Sequence, residues 1–294
     1  MGQKRVMVIA NKWWEADPLC WILLHDKARP NVLTDFACKH YPTQRPAGPP
    51  QVTPRLTFQC GEARVEVWCV EELMNPSVNS SNTAEKARVL PAAMAWGEPP
   101  DLVVAFGTAG SREGLNANGS VVVGRRVFLH DPYSADADRA GKWTPPRPET
   151  VIDSALPTDV FKKIPTERKQ AAEARFLAPP VAPASPMLVL AGNGFVSLGI
   201  VNVTNWDDYA WTDKSGVEAF NRHASRLGQI GSIESTHGLI REMSDAPFLY
   251  VSGITDTVGL FDAQVTPREY SQNTAAAHNA ALTIAWLLPS LIEL

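Results

Sequence analysis

Little in this sequence points to a polyanionic partner, a disulfide framework or a membrane. Lys and Arg total 27 against 31 Asp and Glu, a formal net charge of −4. No basic cluster with interleaved aromatics occurs, so the electrostatic footprint of a nucleic-acid binder is missing. Cysteine is scarce: Cys20, Cys38, Cys60 and Cys69 include no C-x-x-C pair, which speaks against zinc and redox motifs and leaves reduced, buried thiols as the expectation. Long apolar runs are missing too. Val6 to Ala10 is too short for a signal-peptide core. Ala280 to Leu288 is interrupted by Thr283 and stopped by Pro289, short of the roughly 20 residues that span a bilayer. A cytoplasmic protein with no membrane partner is expected. No G-x-G-x-x-G follows a strand and no Walker lysine loop is present, so a dinucleotide or ATP site is disfavoured and no cofactor or metal is implied.

What is present is the pattern of a single α/β domain. Of 294 residues 45% are hydrophobic, enough for one substantial core. Four continuous apolar runs read as strands buried on both faces: Val6 to Ala10, Leu102 to Phe106, Met187 to Ala191 and Phe248 to Ile254. Val121 to Gly124 and Val127 to Leu129 add strand material, and the alternation across Leu56 to Val70 predicts a hairpin. Helices are expected over Asp17 to Leu24, over Asn82 to Trp96 with Asn82 and Glu85 as a capping box, and over Ser271 to Leu288. Strands alternating with helices imply a central, mostly parallel, twisted mixed sheet flanked by helices. The proline-rich stretch at about 132–186, with a helical island around Thr166 to Phe176, reads equally well as an insertion or lid and as a plain spacer.

In open α/β sheets ligands bind beyond the carboxyl ends of the strands. Three strand ends here carry glycine or a polar pair: Gly107-Thr108-Ala109-Gly110, Gly192-Asn193-Gly194 and Thr255-Asp256. Glycine lets a backbone amide approach a ligand closely. Glu15 follows the first strand after a short turn, so Glu15 and Asp256 are expected to face one pocket. Trp13 and Trp14 beside it could line a pocket for a bulky apolar substituent, although ordinary packing of amphipathic rings is slightly favoured.

Taken in order, Val8 to Glu15, Val103 to Gly110, Gly124 to Asp131, Ala191 to Val196, Ile233 to Ile240 and Val251 to Asp256 resemble the nucleoside phosphorylase/nucleosidase superfamily, most of all methylthioadenosine/S-adenosylhomocysteine nucleosidases. The resemblance implies that Asp256, in Ile254-Thr255-Asp256, protonates the leaving purine, and that Glu15 deprotonates the attacking water. It implies site roles for Thr108 and Gly110 in the G-[ST]-x-G pattern near the nucleophile, and for Thr255 beside the acid. It implies stacking of Phe195 on the base and a hydrogen bond from the Val196 backbone. His130-Asp131 resembles a loop that commonly lies near a subunit interface, and a homo-oligomer of two or more chains is expected. The partner is a small-molecule nucleoside or free base.

Two departures carry the substrate question. Phosphorylases of this superfamily hold phosphate with arginines, one of them two residues before the glycine of the G-[ST] pattern; that position is Ala105 here. Asn11-Lys12-Trp13-Trp14-Glu15 has no arginine either. Hydrolysis is favoured, with phosphorolysis on an unusual anion site at Lys12 or Arg112 as the alternative. The second departure is the family's M-E pair, whose glutamate grips the ribose hydroxyls. Here Ser235 and Thr236 occupy those positions, with Glu234 just before. Thr236 cannot offer two charged acceptor oxygens. Either Glu234 or His237 replaces the grip, or the sugar is modified, or the chain is a non-catalytic nucleoside- or base-binding protein.

Overall fold

A computed structural model describes residues 3–38, 52–135, 141–181, 185–190, 194–203, 209–265 and 270–293. Among them the chain runs β1 (Arg5–Ala10), α1 (Trp13–His25), β2 (Leu33–Cys38), β3 (Leu56–Cys60), β4 (Ala63–Cys69), α2 (Val70–Leu73), α3 (Thr83–Met94), β5 (Leu102–Ser111), β6 (Val121–Gly124) and β7 (Arg126–His130). It continues with β8 (Val151–Ile152), a 3-10 turn at Val160–Lys163, α4 (Thr166–Glu173), β9 (Leu188–Leu190), β10 (Phe195–Ile200), α5 (Tyr209–Leu227), β11 (Gln229–Glu234), α6 (His237–Glu242), β12 (Phe248–Thr257), α7 (Phe261–Gln264) and α8 (Tyr270–Ile292).

The strands form one mixed sheet whose main path is β2-β3-β4-β1-β5-β11-β10-β7-β8, with β12 paired to β5 and β6, and β6 to β9. The inner pairings β4-β1-β5-β12 and β11-β10-β7 are parallel. β1 shows why the apolar runs are continuous. Val6, Val8 and Ala10 pack into a cluster with Leu19, Ile22 and Leu23 of α1 and Ala281, Ile284 and Leu288 of α8. Met7 and Ile9 point to the other face, against Val89, Leu90 and Ala93 of α3 and Leu239 and Ile240 of α6. A strand with both faces covered has no polar side to show.

The hairpin appears as β3 and β4, and Asn82 caps α3 by accepting from the Glu85 backbone at 2.9 Å. Other boundaries differ from expectation. α1 starts at Trp13, so Glu15 lies in its first turn, and its carboxylate accepts from the Lys12 backbone at 2.8 Å. β5 and β12 run on through Gly107–Ser111 and Asp256–Thr257 instead of turning. Pro289 does not stop the last helix: α8 reaches Ile292 and, by length and composition alone, is long and apolar enough to cross a membrane. Its apolar faces are instead largely buried in the fold, against α1, α4 and β12. Of the cysteines, Cys38 is exposed and the other three are buried; all four are free.

Among the described residues between 132 and 186, β8 pairs with β7 at the sheet edge and α4 packs on α8. Ile152, Val160, Phe161 and Ile164 are buried. Arg168 donates to the Ser290 hydroxyl at 2.8 Å, and the Leu177 amide to the Asn279 side chain at 2.7 Å.

Candidate active site

The carboxyl ends of β1, β5, β10, β11 and β12 converge on a cavity of about 640 Å³. Four buried carboxylates sit on its wall; the two least exposed are Glu15 at 3% and Asp256 at 4%. Both depend on the glycines of Gly107-Thr108-Ala109-Gly110. A Cβ at Gly107 would stand 2.8 Å from Glu15 Oε1, and one at Gly110 would stand 3.2 Å from Asp256 Oδ2 and 2.8 Å from Val258 Cγ2. The need here is for space; neither glycine has a left-handed φ.

Glu15 is held by its first-turn position and by β5. Oε1 accepts from the Thr108 amide at 2.7 Å and the Thr108 hydroxyl at 2.8 Å, while Oε2 accepts from the Lys12 amide. A carboxylate has about four acceptor sites; three donors leave one, on Oε2, for a further partner. Burial pushes the Glu15 carboxyl up, and the three donors offset that only in part.

Asp256 owes its position to a β-bulge. β12 and β5 stay in parallel register through Ile254 opposite Ala109, then Asp256 lies opposite Gly110, with Thr255 as the extra residue. A bulge re-aims a side chain without ending the strand. Thr255 is buried, and its hydroxyl lies against Ala109 O at 3.2 Å and against Asp256 Oδ1. The Asp256 carboxyl is pushed up to about 6, mainly by burial; the Thr255 hydroxyl pulls it down and the charge of Asp213 adds to the rise. An acid in that range is both available and strong enough to donate near neutral pH.

The residues expected to face a sugar divide. Glu234 and Ser235 line the cavity. Glu234 also caps α6: its Oε2 accepts from the Thr236 and His237 amides, the latter at 2.7 Å, and Oε1 accepts from Ser197 Oγ at 3.3 Å. Thr236 turns away from the cavity wall to Lys86, whose Nζ lies 3.2 Å from its Oγ1. His237 is off the wall as well, buried with its ring stacked on Tyr250 at 5.9 Å between centroids.

Phe195 and Val196 stand at the wrong end of their strand for the base contact expected of them. They open β10, and the cavity lies at its other end, at Ile200. Phe195 instead covers Gly231, where an added Cβ would meet its Cβ at 2.8 Å, and Val196 is fully buried. Ala191 to Asn193, which belong to the same motif, lie outside the described residues. Among the described residues between 132 and 186, none lines the cavity.

Sequence reasoning missed several wall residues. Glu71 lies in α2, two residues past the end of β4, and its carboxylate accepts from the Trp13 amide at 3.1 Å; the strand-end rule that found Asp256 would have found it. Asp213 of α5 accepts from the Phe261 amide at 3.0 Å and so ties α5 to the turn after β12. Lys86, which lies off the wall beside Thr236, had no local signal. It is buried on α3, and burial, with Lys12 nearby, pushes its ammonium down to about 7. Trp13 and Trp14 do line the cavity. Arg112 does not: it is exposed, with its guanidinium 5.4 Å from the Phe220 ring centre. Lys12 is the one cation among the described wall residues, and its ammonium meets Ser80 Oγ.

No family model matches the chain and no curated protein matches it in sequence. Solved structures match it over almost its whole length. A 5'-methylthioadenosine/S-adenosylhomocysteine nucleosidase from Colwellia psychrerythraea, in complex with adenine, superposes with a TM-score of 0.54 at 15% identity, covering 98% of this chain and 96% of that one. The nucleosidase from Neisseria meningitidis, in complex with methylthio-immucillin-A, gives 0.52 at 16% identity over 98% and 99%. Futalosine hydrolase of Helicobacter pylori gives 0.52 at 12% identity over 100% and 99%. At these identities the likeness is one of fold: the chain has the mixed-sheet α/β fold seen in these nucleosidases and in futalosine hydrolase.

Proposed function

We propose that the chain is a nucleosidase that hydrolyses the N-glycosidic bond of a purine-type nucleoside. The observation that carries this reading is the seating of two buried carboxylates, Glu15 and Asp256, on one cavity wall, each over a glycine of β5, where burial pushes the Asp256 carboxyl up to about 6. Breaking the bond leaves an oxocarbenium-like sugar and an electron-rich base. Asp256 donates its proton to the base as that charge develops. Glu15 accepts a proton from water through the Oε2 site left open, and its raised pKa makes it the stronger base. Glu234 Oε1 and Ser235 Oγ meet the sugar hydroxyls, in the place of the family's glutamate.

Water is the nucleophile in this reading because the wall is acidic. Glu15, Glu71, Asp213, Glu234 and Asp256 all line it, against Lys12 as the cation among the described residues. A phosphate dianion there meets repulsion without an arginine clamp.

Base release from a panel of purine nucleosides, with and without phosphate, tests the proposal. Wild-type protein should release base at the same rate in both. Asp256→Asn should lower that rate by about 10²–10⁴-fold, the range of general acid help, with the fold intact. Undiminished turnover by Asp256→Asn would remove Asp256 as the acid, a dependence on phosphate would make the reaction phosphorolysis, and no release from any nucleoside would leave a binding protein.

A further inference from the structure

A second cluster of ionisable side chains lies outside this cavity. His130 ends β7, His223 lies on α5, and Glu149 sits just before β8. His130 Nδ1 is 2.9 Å from Glu149 Oε1, His223 Nε2 is 3.2 Å from Glu149 Oε2, and the two ring nitrogens are 3.1 Å apart. Among the described residues this is the one group of three or more His, Cys, Asp or Glu whose donor atoms converge in this way. We propose that His130, Glu149 and His223 form a binding site for a first-row divalent transition-metal ion, with Zn²⁺ as the ion of choice.

Geometry is the first argument. Bonds of about 2.0–2.2 Å to nitrogen and oxygen set the edges of a tetrahedral zinc site at roughly 3.3 Å. The three separations seen here lie close to such an edge, and they involve one atom from each residue or a neighbouring oxygen of the same carboxylate. Two imidazoles and a carboxylate are a donor set that suits Zn²⁺ and leaves a position open for water.

The second argument is the cost of the cluster without an ion. Glu149 can accept one N–H from each ring. Both ring nitrogens then carry protons, and two donors face each other at 3.1 Å. A metal ion between them replaces that contact with two lone-pair bonds. Both rings are nearly fully buried, at 4% for His130 and 3% for His223, while Glu149 keeps partial access to solvent, which gives an ion a way in.

The third is backbone strain. Glu149 has φ 54°, in the left-handed region that a residue with a side chain rarely adopts. Surrounding bonds hold it there: its amide donates to Leu129 O at 3.2 Å, and Arg226 donates to its carbonyl. Strain that the surroundings over-determine is a mark of functional positions. Arg226 Nη1 lies 3.8 Å from Glu149 Oε2 on an exposed side chain, beyond hydrogen-bond reach of that oxygen.

The ion would pin α5 to the carboxyl end of β7. Asp213 and Gly216 of the same helix line the cavity, and Ile200, opposite His130 in the sheet, lines it too. The site therefore couples ion binding to the position of one cavity wall, whatever reaction that cavity supports.

Zn²⁺ titration of the untagged, chelator-stripped chain against a chromophoric competitor is the test. One ion per chain is expected, with binding weakened about a hundredfold or more in His130→Gln and in His223→Gln and unchanged in His25→Gln, at an exposed histidine. Co²⁺ added to the wild-type chain should give the intense visible bands of a low-coordinate site, a readout that needs no variant to fold. Stoichiometric binding that survives the His130→Gln/His223→Gln pair, or a Co²⁺ spectrum no different from the hydrated ion, would overturn the proposal and leave the three residues a hydrogen-bonded pin.

Discussion

Asp256, the proposed acid, has one hydroxyl beside it, that of Thr255. The Thr255 hydroxyl lies against Asp256 Oδ1 and pulls the carboxyl down, against the larger upward push of burial. Thr255→Val removes that hydroxyl and keeps the shape. The Asp256 carboxyl should then rise further, and the limb on which kcat/KM falls with pH, set near pH 6 in the wild type, should move to higher pH. A limb that stays in place or moves down argues against Asp256 as the titrating acid. The same shift has a sign in stability. An acid whose folded pKa lies above its unfolded value costs stability once the pH exceeds the unfolded pKa, and the cost is complete above the folded one. For a buried group moved from 3.8 to about 6, that cost is on the order of 3 kcal/mol at neutral pH. Asp256→Asn should therefore be more stable than the wild type at pH 8, with the gain vanishing below about pH 4, as denaturant melts at the two pH values would show. A variant that loses activity and gains stability separates a catalytic group from a structural one.

At the scale of elements, Gly253 marks where α8 seats on β12. A Cβ there would stand 2.2 Å from Ala276 O, a backbone atom on the helix. Gly253→Ala must push the helix outward or bend the strand, and overpacking of this kind costs about 1–3 kcal/mol or more; a lower melting temperature with little change in KM is the expected result, and an unshifted melt would mean that α8 is not seated as described. The strands themselves were legible in the sequence because both faces of β1, β5 and β12 are covered, which leaves a continuous apolar run as a signature. Their lengths were not. Gly107 and Gly110 look like turn residues, yet β5 runs through them because what they supply is room for two carboxylates. Phe195 and Val196 were misplaced for a related reason. An apolar pair beside glycines looks the same at either end of a strand, and only the parallel pairing of β10 with β7 and β11 shows that the cavity lies at the Ile200 end. Lys86 left no trace at all: one cation on the buried side of α3 is visible only once Thr236 is seen to face it.

Across the whole molecule, the cavity joins parts of the chain that are far apart in sequence. Glu15 comes from the first helix, Thr108 from β5, Glu234 from β11 and Asp256 from β12. Such a site exists only when the sheet is complete, so a ligand that binds it stabilises the folded chain as a whole, by about 2.7 kcal/mol at a hundred times Kd. The pH dependence of that stabilisation tests the proposed role of Asp256. A free purine base that accepts a hydrogen bond from protonated Asp256 binds the acid form of the protein better. Above the Asp256 pKa, near 6, each further pH unit leaves roughly tenfold less of that form, so apparent affinity falls about tenfold per unit. Adenine should thus raise the melting temperature clearly at pH 5 and progressively less from pH 6 to pH 8, and the gradient should disappear in Asp256→Asn, whose side chain has no proton to lose. A melting shift by adenine that is equal at pH 5 and pH 8 in the wild type would show that the base is held without the acid's proton, which would dissociate the binding of the base from the step that releases it.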